Sequence, residues 1–128
     1  MKKILLLTKT VFHVSNIGLI FTYLYPGSIF GWLFYGDIQK QPQLTKDFII
    51  FSSNHVYGFM ALSLLGLISY YKDKVKTLFL YLIFISIFLE ICHILIPQRS
   101  FEFQDLFGNF LGVILIFIFF NLLNFFKH

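Results

Sequence analysis

His55, Glu90, His93, Arg99, Asp105 and Asn109 are the side chains best placed to move a proton or hold a charge, since each lies in or beside a long apolar run. An ionisable group inside a bilayer is costly and usually faces a bundle interior or an aqueous cavity, so each is a functional candidate. Glu90 and His93 are three residues apart and share one helix face. In a catalytic arrangement His55 or His93 is the general base, Glu90 orients it, and Arg99 with Asn109 stabilises developing negative charge. In a binding arrangement Arg99, with Asp105 and Asn109 nearby, holds a phosphate or carboxylate. Glu90, His93 and His55 then orient the rest of a polar head.

Glu90-x-x-His93 also has the spacing found in carboxylate-bridged metal bundles, but those use two such motifs and further glutamates. His55, Glu90, His93 and Asp105 could supply nitrogen and oxygen ligands. With one copy of the motif, no metal and no other cofactor is expected. Cys92 is the single cysteine, which excludes an intramolecular disulfide. As a nucleophile it lacks an activating cation other than neighbouring His93.

Each residue has a plainer reading. Asp105 just before an apolar run suits a helix N-cap. Asn109 could make one interhelical hydrogen bond, and Gly108 with Gly112 forms a small-xxx-small pair for close helix packing. Glu90 and Arg99 could be a structural ion pair, and the whole set could only lock helices together.

The elements that position these residues follow from composition. The chain has 128 residues, 58% hydrophobic and only 12% charged, with 19 Phe. A soluble domain carries about 25% charged residues, and a fold this small has too much surface for so few. An integral membrane protein resolves the conflict. A helical span takes about 20 apolar residues, so the chain holds roughly four. The apolar runs predict spans over about residues 4–25, 48–71, 77–96 and 106–126, a four-transmembrane-helix all-α bundle in one domain, 1–128. Residues 26–47 read as an interfacial loop around Trp32 and Tyr35, with room for one short helix lying flat. Counting at about 1.5 Å per residue puts Glu90 and His55 each roughly 10 Å inside the outer end, and His93 roughly 6 Å.

Lys2, Lys3, Lys72, Lys74, Lys76 and Lys127 fall on one side of that bundle. The positive-inside rule therefore puts both termini in the cytoplasm. The net charge of +4 reflects this lysine placement, and nucleic acid is not expected as a partner. The basic start is interrupted at Lys9 and no small-residue cleavage site follows, so the first span is expected to be an anchor and not a removable signal peptide. Lys9, His13 and Asn16 form a polar stripe along it, expected to pack against the bundle interior.

The run Glu90-x-x-His93, Pro97-Gln98-Arg99-Ser100-Phe101, Asp105-x-x-x-Asn109-x-x-Gly112 resembles the VanZ-like family of small bacterial membrane proteins, named for a teicoplanin-resistance member. The resemblance covers the second to fourth spans and includes His55 followed by Phe59. It departs where the family's usual glutamine is His93, where an Asp-Lys pair ahead of the histidine is replaced by residues 51–54, and where a later glycine is Ile116. It implies a multi-pass protein of the bacterial cytoplasmic (inner) membrane and cell envelope, without fixing a reaction or transferring resistance. The expected function is binding of an anionic lipid or lipid-linked cell-wall intermediate at an outer-leaflet polar site. The alternatives are a transferase or hydrolase acting on such a lipid, or a structural accessory subunit. Membrane lipid is the expected partner, and the chain names no partner protein.

Overall fold

The computed structural model describes residues 2–97 and 99–127. Gln98, part of the motif between Pro97 and Phe101, lies outside the described residues. The described chain is all helical: α1 (Lys2–Leu24), α2 (Ile29–Tyr35), α3 (Ser53–Tyr70), α4 (Val75–Cys92) and α5 (Phe103–Lys127). Three of these, α1, α4 and α5, are long and apolar enough to cross a membrane. By length and composition, this is a multi-pass membrane protein. Ranks of exposed Leu, Ile and Phe on all three, such as Leu6, Ile17, Leu80, Phe84, Ile118 and Phe119, are the surface a lipid belt would cover.

α3 is the one long helix outside that set, and its surroundings supply a structural reason. It packs against α1, α4 and α5, and it buries Ser53, Ser63 and Ser69 together with Phe59, Leu62 and Leu67. A helix enclosed by neighbours on several sides need not be apolar all round. Its contact with α5 is the most extensive in the bundle. A methyl group on Gly112 would lie 2.6 Å from the Val56 carbonyl oxygen, and one on Gly108 would lie 2.8 Å from that of Ser52. The two glycines let the backbones meet, as the small-xxx-small spacing predicts.

Several element ends differ from those predicted. The second span was expected from residue 48, but α3 begins at Ser53. Phe48 and Phe51 pair across a tight turn that leaves Ile49 96% exposed, and Asp47 Oδ1 accepts from the Ser53 backbone N–H at 3.1 Å. Asp47 thus satisfies a helix-start donor that would otherwise be orphaned. The third span was expected to reach Ile96, but α4 ends at Cys92. From there His93, Ile94 and Leu95 donate three residues back, the tightened winding that precedes Pro97, which disfavours helical backbone before it. α5 starts at Phe103, three residues ahead of the predicted start. Asp105 is therefore inside the first turn and not the N-cap. The Glu102 carbonyl receives the first helical bonds, from Asp105 N–H and Leu106 N–H.

The segment between α1 and α3 carries the expected short helix. In α2 the Ser28 Oγ accepts from Gly31 N–H, and Gly36 closes the helix in the left-handed conformation at φ 66°. Only glycine enters that region without steric cost.

Candidate functional site

Tyr23 at the end of α1, His55 at the start of α3, Glu90 near the end of α4 and Asn109 near the start of α5 meet around one phenolic hydroxyl. The Tyr23 hydroxyl donates to Glu90 Oε2 at 2.8 Å and accepts from Asn109 Nδ2 at 2.6 Å. Asn109 Nδ2 also donates to the Ser86 backbone carbonyl at 3.0 Å. A carbonyl can only accept, so this contact fixes which way the Asn109 amide points. Its Oδ1 consequently faces His55 Nδ1 at 2.8 Å, and Nδ1 must carry the proton. The same N–H lies against the Tyr23 oxygen. In neutral His55 the lone pair is then on Nε2, which sits 3.5 Å from Asp105 Oδ1.

The other half of the cluster surrounds Glu90, which is fully buried. Its Oε1 accepts from the Glu102 backbone N–H at 3.1 Å and lies 3.3 Å from His93 Nδ1. The opposite ring nitrogen of His93 donates to the Tyr23 carbonyl at 2.9 Å, and the two rings stack with centroids 4.6 Å apart. His93 therefore clamps Tyr23 by its ring and its backbone at once. His55, Glu90, His93, Asp105 and Asn109, placed at the outer end by sequence, are all brought together, although His93 stands just past α4 and not within it.

Arg99 occupies a different place from the one its charge suggested. Its Nε donates to the Tyr25 carbonyl at 3.1 Å, and its Nη2 donates to those of Thr22 at 3.3 Å and Gly27 at 2.5 Å. The guanidinium gathers the orphan carbonyls where α1 ends, and among the described residues it forms no salt bridge with Glu90. Burial works against its charge and lowers its pKa. Arg99 still reaches a cleft of about 610 Å³ above the cluster. Gln39, Gln41, Gln43 and Gln104 line that cleft, with His93 and Asp105 on its inner side.

The ligand-capable atoms of His55, Glu90 and Asp105 lie within 4.8 Å of one another, a nitrogen–oxygen set that could hold a metal ion. Chemically the arrangement offers a histidine whose basic nitrogen faces a carboxylate beside a polar cleft. Tyr23 is the residue that sequence reasoning missed. A tyrosine at the end of an apolar run reads as an interfacial anchor. Its one available signal is its position on the helix face of Asn16, seven residues and very nearly two full turns further on.

The chain matches no protein-family model, no curated protein and no solved structure.

Lys9, His13 and Asn16 lie away from this cluster. His13 Nε2 bonds the Tyr70 hydroxyl at 2.8 Å, Asn16 Nδ2 donates to the Tyr81 hydroxyl at 2.5 Å, and the Lys9 ammonium sits 5.0 Å from the centre of the Tyr70 ring. The stripe was expected to pack against the bundle interior; it instead pairs with tyrosines of α3 and α4, with Lys9 and Asn16 half-buried and His13 exposed.

Proposed function

We propose that this chain is a VanZ-like membrane protein of the bacterial cytoplasmic membrane that binds the head of an anionic, lipid-linked cell-wall intermediate in the outer cleft. In this reading α3 is a fourth span and the long helices run alternately up and down. Their site-bearing ends then face outward, and Lys2, Lys3, Lys72, Lys74, Lys76 and Lys127 gather at the cytoplasmic end with both termini.

The observation that carries the reading is the lining of the cleft. Gln39, Gln41, Gln43, Gln104, Ser28, Ser52 and Ser100 are neutral groups that both donate and accept hydrogen bonds; Arg99 is the cation among them, and Asp47, Glu102 and Asp105 add carboxylates that accept from sugar hydroxyls. Such a surface suits a sugar-bearing phosphate head more than a bare phospholipid head, with exposed Phe side chains alongside for an isoprenoid tail. The test is native mass spectrometry of the full chain in mild detergent, offered a polyprenyl-phosphate-linked sugar or phosphatidylglycerol. Selective retention of the glycolipid, weakened by Gln41→Leu and Gln104→Leu, is the expected result. Equal retention of both lipids, or none of either, removes the reading.

A second reading is favoured by the orientation of His55. A neutral imidazole presenting Nε2 towards Asp105 is arranged as a general base, which suits a transferase or hydrolase acting on the same lipid. Turnover of the bound lipid, abolished by His55→Gln in a folded protein, distinguishes it from binding alone.

A further inference from the structure

We propose that His55, Asp105 and Glu90 form a binding site for a divalent first-row transition-metal ion, with His55 Nε2 as the nitrogen ligand and the two carboxylates as oxygen ligands. The site stands on these side chains alone, whether or not a lipid occupies the cleft.

Distances set the frame. The three ligand atoms lie within 4.8 Å of one another, and His55 Nε2 is 3.5 Å from Asp105 Oδ1. Two ligands bound at 2.0–2.2 Å to one tetrahedral ion are about 3.4 Å apart, so this pair already spans a coordination edge. Glu90 supplies the third ligand atom within the same 4.8 Å.

The hydrogen-bond chain supplies the chemical reason. The Ser86 carbonyl orients the Asn109 amide, the amide oxygen takes the proton of His55 Nδ1, and the lone pair is left on Nε2. A metal-bound histidine is usually held in this way, by an acceptor on its other nitrogen. His55 Nε2 therefore turns its lone pair towards Asp105 Oδ1, a nitrogen and an oxygen donor facing one another at the spacing one ion would take. Glu90 is oriented in the same manner, by the Tyr23 hydroxyl on Oε2 and the Glu102 N–H on Oε1.

Charge points the same way. Two carboxylates converge where His55 is 12% and Asp105 19% exposed and Glu90 is fully buried. Arg99 directs its hydrogen bonds to backbone carbonyls, and His93 faces Glu90 from the other side. A divalent ion offsets both negative charges. One imidazole and two carboxylates suit Zn²⁺, Mn²⁺ or Fe²⁺, and without a thiolate they do not select Cu(I). Three protein ligands leave a coordination position, and Asp105 borders the cleft through which a further ligand would reach it.

The test uses the full chain in mild detergent, stripped with a chelator and then given Zn²⁺ or Mn²⁺ alone, with bound metal and melting temperature as readouts. One ion per chain and a raised melting temperature are expected for the wild type. His55→Gln and Asp105→Asn should each weaken binding roughly tenfold or more, while His13→Gln leaves it unchanged. No ion retained by wild type, or undiminished binding in both variants, overturns the proposal. Should the variants fail to fold, X-ray absorption of the zinc-loaded wild type decides. A shell of nitrogen and oxygen with one imidazole supports the site, and a shell with none overturns it.

Discussion

The Tyr23 hydroxyl stands 2.8 Å from Glu90 Oε2, and this contact ties the end of α1 to α4 across 67 residues of chain. It gives a fully buried carboxylate one of its donors, and the same oxygen receives the Asn109 amide. Tyr23→Phe removes only that oxygen. It leaves Glu90 short of a donor and Asn109 short of an acceptor, at an expected cost of about 1–3 kcal/mol. Thermal melts in detergent measure the loss, and an unchanged midpoint would show that the hydroxyl holds nothing together.

Asn109→Asp keeps the shape and reverses a function. An ionised carboxylate cannot donate to the Ser86 carbonyl, so two acceptors would face each other where a 3.0 Å bond now lies. A destabilisation of about 1–3 kcal/mol is expected, since a buried acceptor loses its partner. The His55 ring proton signals should shift in nuclear magnetic resonance spectra, because its Nδ1 acceptor is altered. Unmoved signals and an unaltered melt together would refute the amide orientation.

Gly112→Ala tests the approach of α3 and α5. The added carbon would fall 2.6 Å from the Val56 carbonyl oxygen, a backbone atom that cannot swing aside. Overpacking of this kind costs about 1–3 kcal/mol. Gly18 on α1 has nothing within 4 Å of the same position. Gly18→Ala should therefore be neutral, or stabilising by up to about 1 kcal/mol through helix propensity. Equal melting temperatures for the two variants would contradict the close packing.

Arg99→Lys separates charge from geometry. A lysine keeps the cation but cannot reach the carbonyls of Thr22, Tyr25 and Gly27 with one planar fork. A loss of about 1–2 kcal/mol would raise the open population of this junction about 5–30-fold. Limited proteolysis between residues 26 and 52 should accelerate accordingly. Wild-type cleavage rates would mean that charge alone suffices.

Polar residues embedded in apolar runs were legible in the sequence because a bilayer makes their placement costly. That reasoning found His55, Glu90, Asp105 and Asn109, and their convergence at one end follows from alternating helices. It could not see what Arg99 does, since backbone carbonyls at the end of α1 leave no trace in side-chain identities. Tyr23 was hidden by its own ambiguity, apolar in its ring and polar at its tip. The ends of α3 and α4 were misplaced because apolar residues also build tight turns: Phe48 to Phe51 and Ile94 to Ile96 are hydrophobic without being helical. The start of α5 was set too late because Phe103 follows an acidic residue that reads as loop. The short α2 was anticipated from its aromatic cluster, while its capping by Ser28 and Gly36 emerges only with the backbone.

The meeting of Tyr23, His55, Glu90 and Asn109 has a consequence for how the protein is made. Synthesis runs from the N-terminus, so α5 emerges after α1, α3 and α4. Until it arrives, the hydroxyl of Tyr23 lacks the Asn109 amide, the Ser86 carbonyl lacks its side-chain donor, and His55 has no fixed tautomer. The Glu102 N–H that reaches Glu90 comes with the same final stretch. A chain cut short before α5 would leave these polar groups without partners, at about 1–3 kcal/mol for each one that stays buried. The site is therefore assembled only when α5 is in place beside the helices made before it.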